Sequence, residues 1–220
     1  MKRIFAAVFA ALMVFSLSGC SFALFDRLSG SVKETEAVSV SDEERAEYIK
    51  NIAGPKTLKF FEEYNEKDGY FMSSTANAAG SELSLISAVK DGKSYVSVEQ
   101  SGGSYSVITR DGNIYMLDPA SKRAYLMESV SLDFASYMDE AEDMIYGSTY
   151  SEGEITIDGI KYQYEGYKSE TGEVRYCFLG EDFKYLTVDN GTQYVAVKVN
   201  ELTKDVDEAI FEIPEDYRIR

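Results

Sequence analysis

From Tyr70 onward, apolar positions recur at every second residue, in short runs. Segments rich in Val, Ile, Tyr and Thr are separated by Asp91-Gly92, Ser101-Gly102-Gly103, Asp111-Gly112 and Asp118-Pro119. Such alternation predicts half-buried strands, and Asp-Gly tolerates the positive φ that two-residue hairpin turns require. The pattern predicts an antiparallel meander over 70–77, 81–90, 93–100, 104–110, 113–118 and 123–128. The period then lengthens. Over 131–146, Phe134, Tyr137, Met138, Ala141, Met144 and Ile145 share one stripe, with Asp133, Asp139, Glu140, Glu142 and Asp143 opposite. This is the signature of an amphipathic helix. Alternation resumes over 151–157, 160–168, 173–179, 183–189 and 192–202, with Asp158-Gly159, Thr171-Gly172 and Asn190-Gly191 as turns. A last short strand is expected within 211–217.

Ahead of the strands the pattern is helical. Ser41-Asp42-Glu43-Glu44 offers a capping hydroxyl with Glu three residues on, which predicts a helix over about 42–52. Gly54-Pro55 breaks it, and a second helix over about 56–66 carries Leu58, Phe61 and Tyr64 on one side.

Turn geometry also predicts faces. Two-residue turns at Asp91-Gly92 and Asp111-Gly112 pair Lys90 with Lys93 and Arg110 with Asn113. That register, carried through the first meander, places Leu83, Leu85, Val89, Val96, Val98, Ile108, Tyr115, Leu117, Ala124 and Leu126 on the core side. Tyr95, Tyr105 and Tyr125 fall on the outer side. In the second meander, Leu186, Val188, Val195, Val197 and Val199 group together.

About eleven strands form a sheet wide enough to curl, and two or three helices are few to cover it. The expectation is an α+β fold: a curved antiparallel sheet, or half-open β-barrel, with N-terminal helices and one inserted helix as lid. An apolar cavity beneath the lid follows from that imbalance; a fully packed interior is the alternative. The cavity wall is expected to comprise Leu83, Leu85, Val96, Val98, Ile108, Tyr115, Leu117 and Leu126, with Phe134, Met138 and Met144 from the lid.

The first residues carry an address. Met1-Lys2-Arg3 precedes an apolar run over 4–17, too short for a membrane span. The run ends in Leu17-Ser18-Gly19-Cys20, which resembles a bacterial lipobox. That resemblance implies diacylglyceryl modification of Cys20 and cleavage before it. The chain then divides into a signal peptide (1–19), a lipidated Cys with a tether (20–40) and a folded domain (41–220). Two acyl chains, such as palmitate, meet the requirement for stable anchoring. The membrane is thus an expected partner, with the plasma membrane preferred over an outer membrane.

Composition narrows the chemistry. The 220 residues include 22 Lys+Arg against 38 Asp+Glu, for a net charge of −16, with no His. Ser-His-Asp and Cys-His catalysis and His-containing zinc sites are therefore excluded. Strong acidity disfavours nucleic acid as a partner. The Asp-Gly turns lack the ligand spacing of a calcium loop, so neither a metal nor a cofactor is expected. The second cysteine, Cys177, sits in a strand pattern and reads as a small buried hydrophobe.

The lipobox, an N-terminal helix, a Tyr-rich meander, an inserted helix, further strands and a closing Phe211-x-Ile213-Pro214-x-x-Tyr217 together resemble the LolA/LolB/LppX-type envelope proteins over about 42–218. The resemblance implies a half-open β-barrel with a helical lid over an apolar cavity, carriage of lipids or lipoproteins, and no catalytic residues. This chain departs from the soluble carriers in its own anchor and in its acidity. The expected function is non-enzymatic: a membrane-anchored extracytoplasmic lipoprotein that binds a lipid or acyl chain. The alternative is an envelope sensor or interaction module, without lipid, that reads an envelope protein partner through Tyr95, Tyr105 and Tyr125.

Overall fold

The computed structural model describes residues 47–48, 50–64, 68–78, 81–100, 103–127, 145, 147–170, 172–191 and 194–220. The expected signal peptide, Cys20, the expected tether and the expected lid residues Phe134, Met138 and Met144 lie outside the described residues. So does all of the expected lid helix except Ile145.

Among the described residues, twelve strands form one curved, unclosed sheet. In chain order they are β1 (Tyr70–Ala78), β2 (Ser81–Lys90), β3 (Lys93–Gln100), β4 (Gly103–Arg110), β5 (Asn113–Asp118) and β6 (Arg123–Leu126). The second group comprises β7 (Thr149–Ile157), β8 (Ile160–Lys168), β9 (Glu173–Leu179), β10 (Asp182–Asp189) and β11 (Tyr194–Thr203), followed by a short β12 (Arg218–Ile219). The spatial order is β12-β6-β5-β4-β3-β2-β1-β11-β10-β9-β8-β7. The two meanders join where β1 pairs with β11, with Met72 opposite Leu202. Strands β6 and β7, consecutive in sequence, lie toward opposite edges of the sheet.

The Asp-Gly turns have the expected geometry. Asp91 and Gly92 have φ of 49° and 76°, Asp111 and Gly112 of 51° and 73°, and Asp158 and Gly159 of 53° and 78°. Positive φ at both central residues matches the twist of the flanking strands.

One face of the sheet carries helix α1 (Pro55–Glu63); helical residues at 47–48 and 50–52 precede it. We call this the helix face. The stripe that α1 buries is Thr57, Phe60 and Phe61, with Tyr64 half-buried, rather than one containing Leu58. The other face carries the C-terminal tail. In place of a strand within 211–217, the chain makes a 3-10 turn (Glu208–Phe211) and runs across β2–β6, and β12 then pairs parallel with β6. Phe211 is fully buried, and Ile213 and Tyr217 pack on Ile108, Leu117 and Ala124. Ion pairs tie this tail down: Lys90 and Lys93 to Glu208, Arg110 to Glu212, and Lys122 to Asp216.

The register of the β3–β4 hairpin corrects the predicted faces. Gln100 pairs with Gly103 and Val98 with Tyr105, so the loop is the two residues Ser101-Gly102 rather than three. Gly103 opens β4 with φ of 144°, a conformation that favours glycine. A one-residue slip moves every following side chain to the other face. Ile108, Tyr115, Leu117, Ala124 and Leu126 therefore lie on the tail face, whereas Tyr105 and Tyr125 lie on the helix face.

Candidate functional site

Helix α1 is seated by side chains far away in sequence. Its first turn has four N–H positions to satisfy, and Gly54 at the N-cap offers no side chain. The N–H of Gly54 donates to the Tyr167 phenol oxygen at 2.9 Å. Pro55 has no N–H to satisfy. Lys56 and Thr57 donate their N–H groups to the two carboxylate oxygens of Glu165, at 3.0 and 2.7 Å. Glu165, on β8, is only 5% exposed and acts as a tertiary cap, its charge set against the positive end of the helix dipole. A Cβ on Gly54 would stand 2.3 Å from the Glu165 carboxyl carbon, so glycine is required there. With both oxygens engaged, Glu165 is a structural carboxylate. The sequence pattern held a faint signal for it: a charged residue at an inward position of an otherwise half-buried strand.

Below α1 the helix face is sealed by rings. Phe60 packs on Phe183 with centroids 4.6 Å apart, and Phe61 meets Tyr176 edge-on at 5.6 Å. Tyr176 also contacts Tyr167, whose neighbour is Tyr150. Burial lifts the Tyr176 phenol well above its ordinary range, and Tyr150 is raised by burial and by its bond to Glu152. Leu186, Val195, Val197 and Val199 pack into the same core, as their alternation predicts. Ile145, the end of the predicted lid stripe, is fully buried there.

Toward the other edge the helix face changes character. Val96, Val107, Ile114, Met116, Tyr125 and Met127 are only half-buried, and Tyr105 is 38% exposed. They share one face of β3–β6: Val96 is opposite Val107, Val107 opposite Met116, and Met116 opposite Tyr125. No described helix packs on them. This apolar wall is the candidate site.

The predicted wall residues divide into three groups. Leu83, Leu85 and Val98 lie on the helix face but are buried in the core beside the wall, and Val96 is part of the wall itself. Ile108, Tyr115, Leu117 and Leu126 are on the wrong face for it: the first three belong to the cluster under the tail, and Leu126 pairs beside Tyr115. Phe134, Met138 and Met144 lie outside the described residues. Val107, Ile114, Met116 and Tyr125 were missed through the same slip. The expected outer tyrosine surface also dissolves. Tyr95 lies on the tail face and bonds the Ser106 hydroxyl at 3.2 Å, opposite in facing to Tyr105 and Tyr125.

A separate cleft of about 420 Å³ lies between α1 and β10–β11. Its floor includes Phe60, Tyr64 and Phe183, but its rim is charged, and Lys56 and Lys59 already pair with Glu181. Cys177, in a tail-face cluster with Tyr162 and Tyr185, is fully buried, and burial pushes its thiol up to about 12. It is the small buried hydrophobe expected from the sequence.

No protein-family profile matches the chain, and no curated protein matches it. Among solved structures, an uncharacterised conserved protein from Thermus thermophilus aligns at TM-score 0.45 and 10% identity, covering 82% of this chain and 99% of that one. The Mycobacterium tuberculosis lipoprotein LppX aligns at TM-score 0.43 and 11% identity, covering 76% and 99%. MucB, in its complex with MucA, aligns at TM-score 0.39 and 12% identity, covering 78% and 60%.

Proposed function

We propose that this chain is a membrane-anchored extracytoplasmic lipoprotein whose helix face holds a hydrophobic ligand, a lipid or acyl chain, without chemistry on it. The supporting observation is the wall of Val96, Tyr105, Val107, Ile114, Met116 and Tyr125, half-buried or exposed beside the part of the same face that α1 and its rings seal. Leaving that much contiguous apolar surface wet is unfavourable, and such a patch marks a binding surface. Burying it against an acyl chain returns about 25 cal/mol per Å². The two phenol groups, Tyr105 and Tyr125, supply the polar points that orient a headgroup.

Segment 131–146 is the proposed lid. The chain leaves the wall at Met127 and returns to the same face at Ile145. Phe134, Met138 and Met144 then complete the site, and Cys20 tethers it to the membrane.

The test is solvent extraction and lipid mass spectrometry on the full chain, alongside a Met116→Asp variant. Wild-type protein should yield about one non-covalent lipid per chain, and the folded variant should yield none. Equal recovery from both, or none from either, would overturn the reading.

A further inference from the structure

The sheet ends in an edge that is unusually regular. Strand β7 pairs with β8 over its whole length, from Thr149 opposite Lys168 to Ile157 opposite Ile160, with no shift of register. It contains no proline. Among the described residues nothing pairs with its other side. Alternate N–H and C=O groups along β7 therefore point outward as a template for another strand. The opposite end of the sheet is different: β12 lies along β6 there, and the N–H of Leu126 donates to the Arg220 carbonyl.

The side chains of β7 select what can be added. Its helix face carries Tyr150, Glu152, Glu154 and Thr156, with Glu165 opposite Glu152 on β8. Glu152 and Glu154 are exposed. Lys161 pairs with Glu154 at 3.0 Å, and the Tyr150 phenol donates to Glu152 at 2.8 Å. Lys161 is the sole basic side chain on this face of β7 and β8, against three carboxylates. On the tail face, Ile155 and Ile157 pack beside Tyr162, and Ile160 next to them is 48% exposed.

These charges argue against a second copy as the occupant. Two β7 strands related by a two-fold axis at Gly153 would set Glu152 against Glu154. An axis at Glu152 or at Glu154 sets that residue against itself, and an axis at Ser151 or Ile155 avoids such a clash only by leaving four of the nine β7 residues unpaired. Like charges directly opposite destabilise a strand pair.

We propose that β7 accepts one strand from a different protein: an extended segment with Lys or Arg at alternate positions and apolar residues between them. The basic residues stand beside Glu152 and Glu154, and the apolar residues extend the Ile155–Ile157 side. Main-chain bonds supply affinity and the charge pattern supplies choice of partner. This edge is separate from the lipid wall on β3–β6, so the two assignments stand or fall independently.

The test uses the full chain in non-ionic detergent and two capped nine-residue peptides, one alternating Lys and Val, the other Glu and Val. The Lys peptide should bind about tenfold more tightly. It should slow hydrogen exchange within 149–157 and leave β3–β6 unchanged. An E152K/E154K variant, its fold checked by circular dichroism, should reverse the order of the two peptides. The single variants E152Q and E154Q should each narrow the gap. Equal affinity for both peptides, protection elsewhere than β7, or self-association through β7 would overturn the proposal.

Discussion

Val98 stands opposite Tyr105 across the β3–β4 hairpin, and this pairing decides which side chains of β4–β6 face the candidate site. Val98 is fully buried while Tyr105 is 38% exposed, so the boundary between sealed core and open wall passes between them. Two consecutive residues on β5 then have opposite duties. Met116 belongs to the wall, and Leu117 belongs to the cluster under the C-terminal tail.

Substitutions at adjacent positions should therefore separate stability from binding. Ile108→Ala, in the tail cluster, should cost about 2–5 kcal/mol of stability and leave lipid recovery intact. Val107→Ser, on the wall, should cost much less stability and lower ligand affinity. Chemical denaturation and lipid quantification on the same two proteins check this.

The seat of α1 gives a second prediction. Glu165→Ala leaves the Lys56 and Thr57 N–H groups without their acceptor and should destabilise by about 2–4 kcal/mol. Gly54→Ala should also destabilise, because its Cβ would collide with the Glu165 carboxyl group. Combined, the two changes should cost less than their sum, because removing the carboxyl group relieves the collision. A double-mutant cycle measures the coupling.

The strand count, hairpin turns and most strand boundaries were legible in the alternation of apolar residues, since Asp-Gly turns at Asp91, Asp111 and Asp158 admit few geometries. The helix-face half of the second meander was legible for the same reason. The wall was not. Ser101-Gly102-Gly103 suits either a two- or a three-residue loop, and 114–117 is apolar at every position. Ile114 and Met116 on one face match Tyr115 and Leu117 on the other, so alternation could not choose between registers. That continuous run does signal a strand covered on both faces. The second cover is the tail with Phe211, Ile213 and Tyr217, which sequence reading assigned to a strand. Glu165 was hidden for another reason: a cap supplied from 108 residues away leaves no local motif.

The tail should carry much of the stability of β2–β6. Phe211→Ala should cost about 3–5 kcal/mol. Its ion pairs are exposed, so Glu208→Gln should have a small effect that shrinks with added salt. Thermal unfolding at low and high ionic strength distinguishes the two contributions.

Alkaline pH should weaken the fold. Burial holds the Cys177 thiol near 12 against 9.0 in a free chain, and the Tyr185 phenol near 12 against 10.0. Both folded values are raised, so the unfolded chain ionises first. Stability is full below about pH 9 and falls as pH rises toward 12. Cys177→Ala should flatten the first part of that decline in pH-dependent denaturation. At pH 8 the folded chain should also resist alkylation at Cys177.

The chain contains no tryptophan, so one introduced indole reports on a single site. Met116→Trp places it on the wall, and Tyr115→Trp places it one residue away on the tail face. A brominated acyl chain quenches an indole only at close contact. The account predicts strong, saturable quenching of the probe at 116 and none at 115. Equal quenching at both, or none at 116 in a folded protein, would contradict the assignment of the helix-face wall as the ligand site.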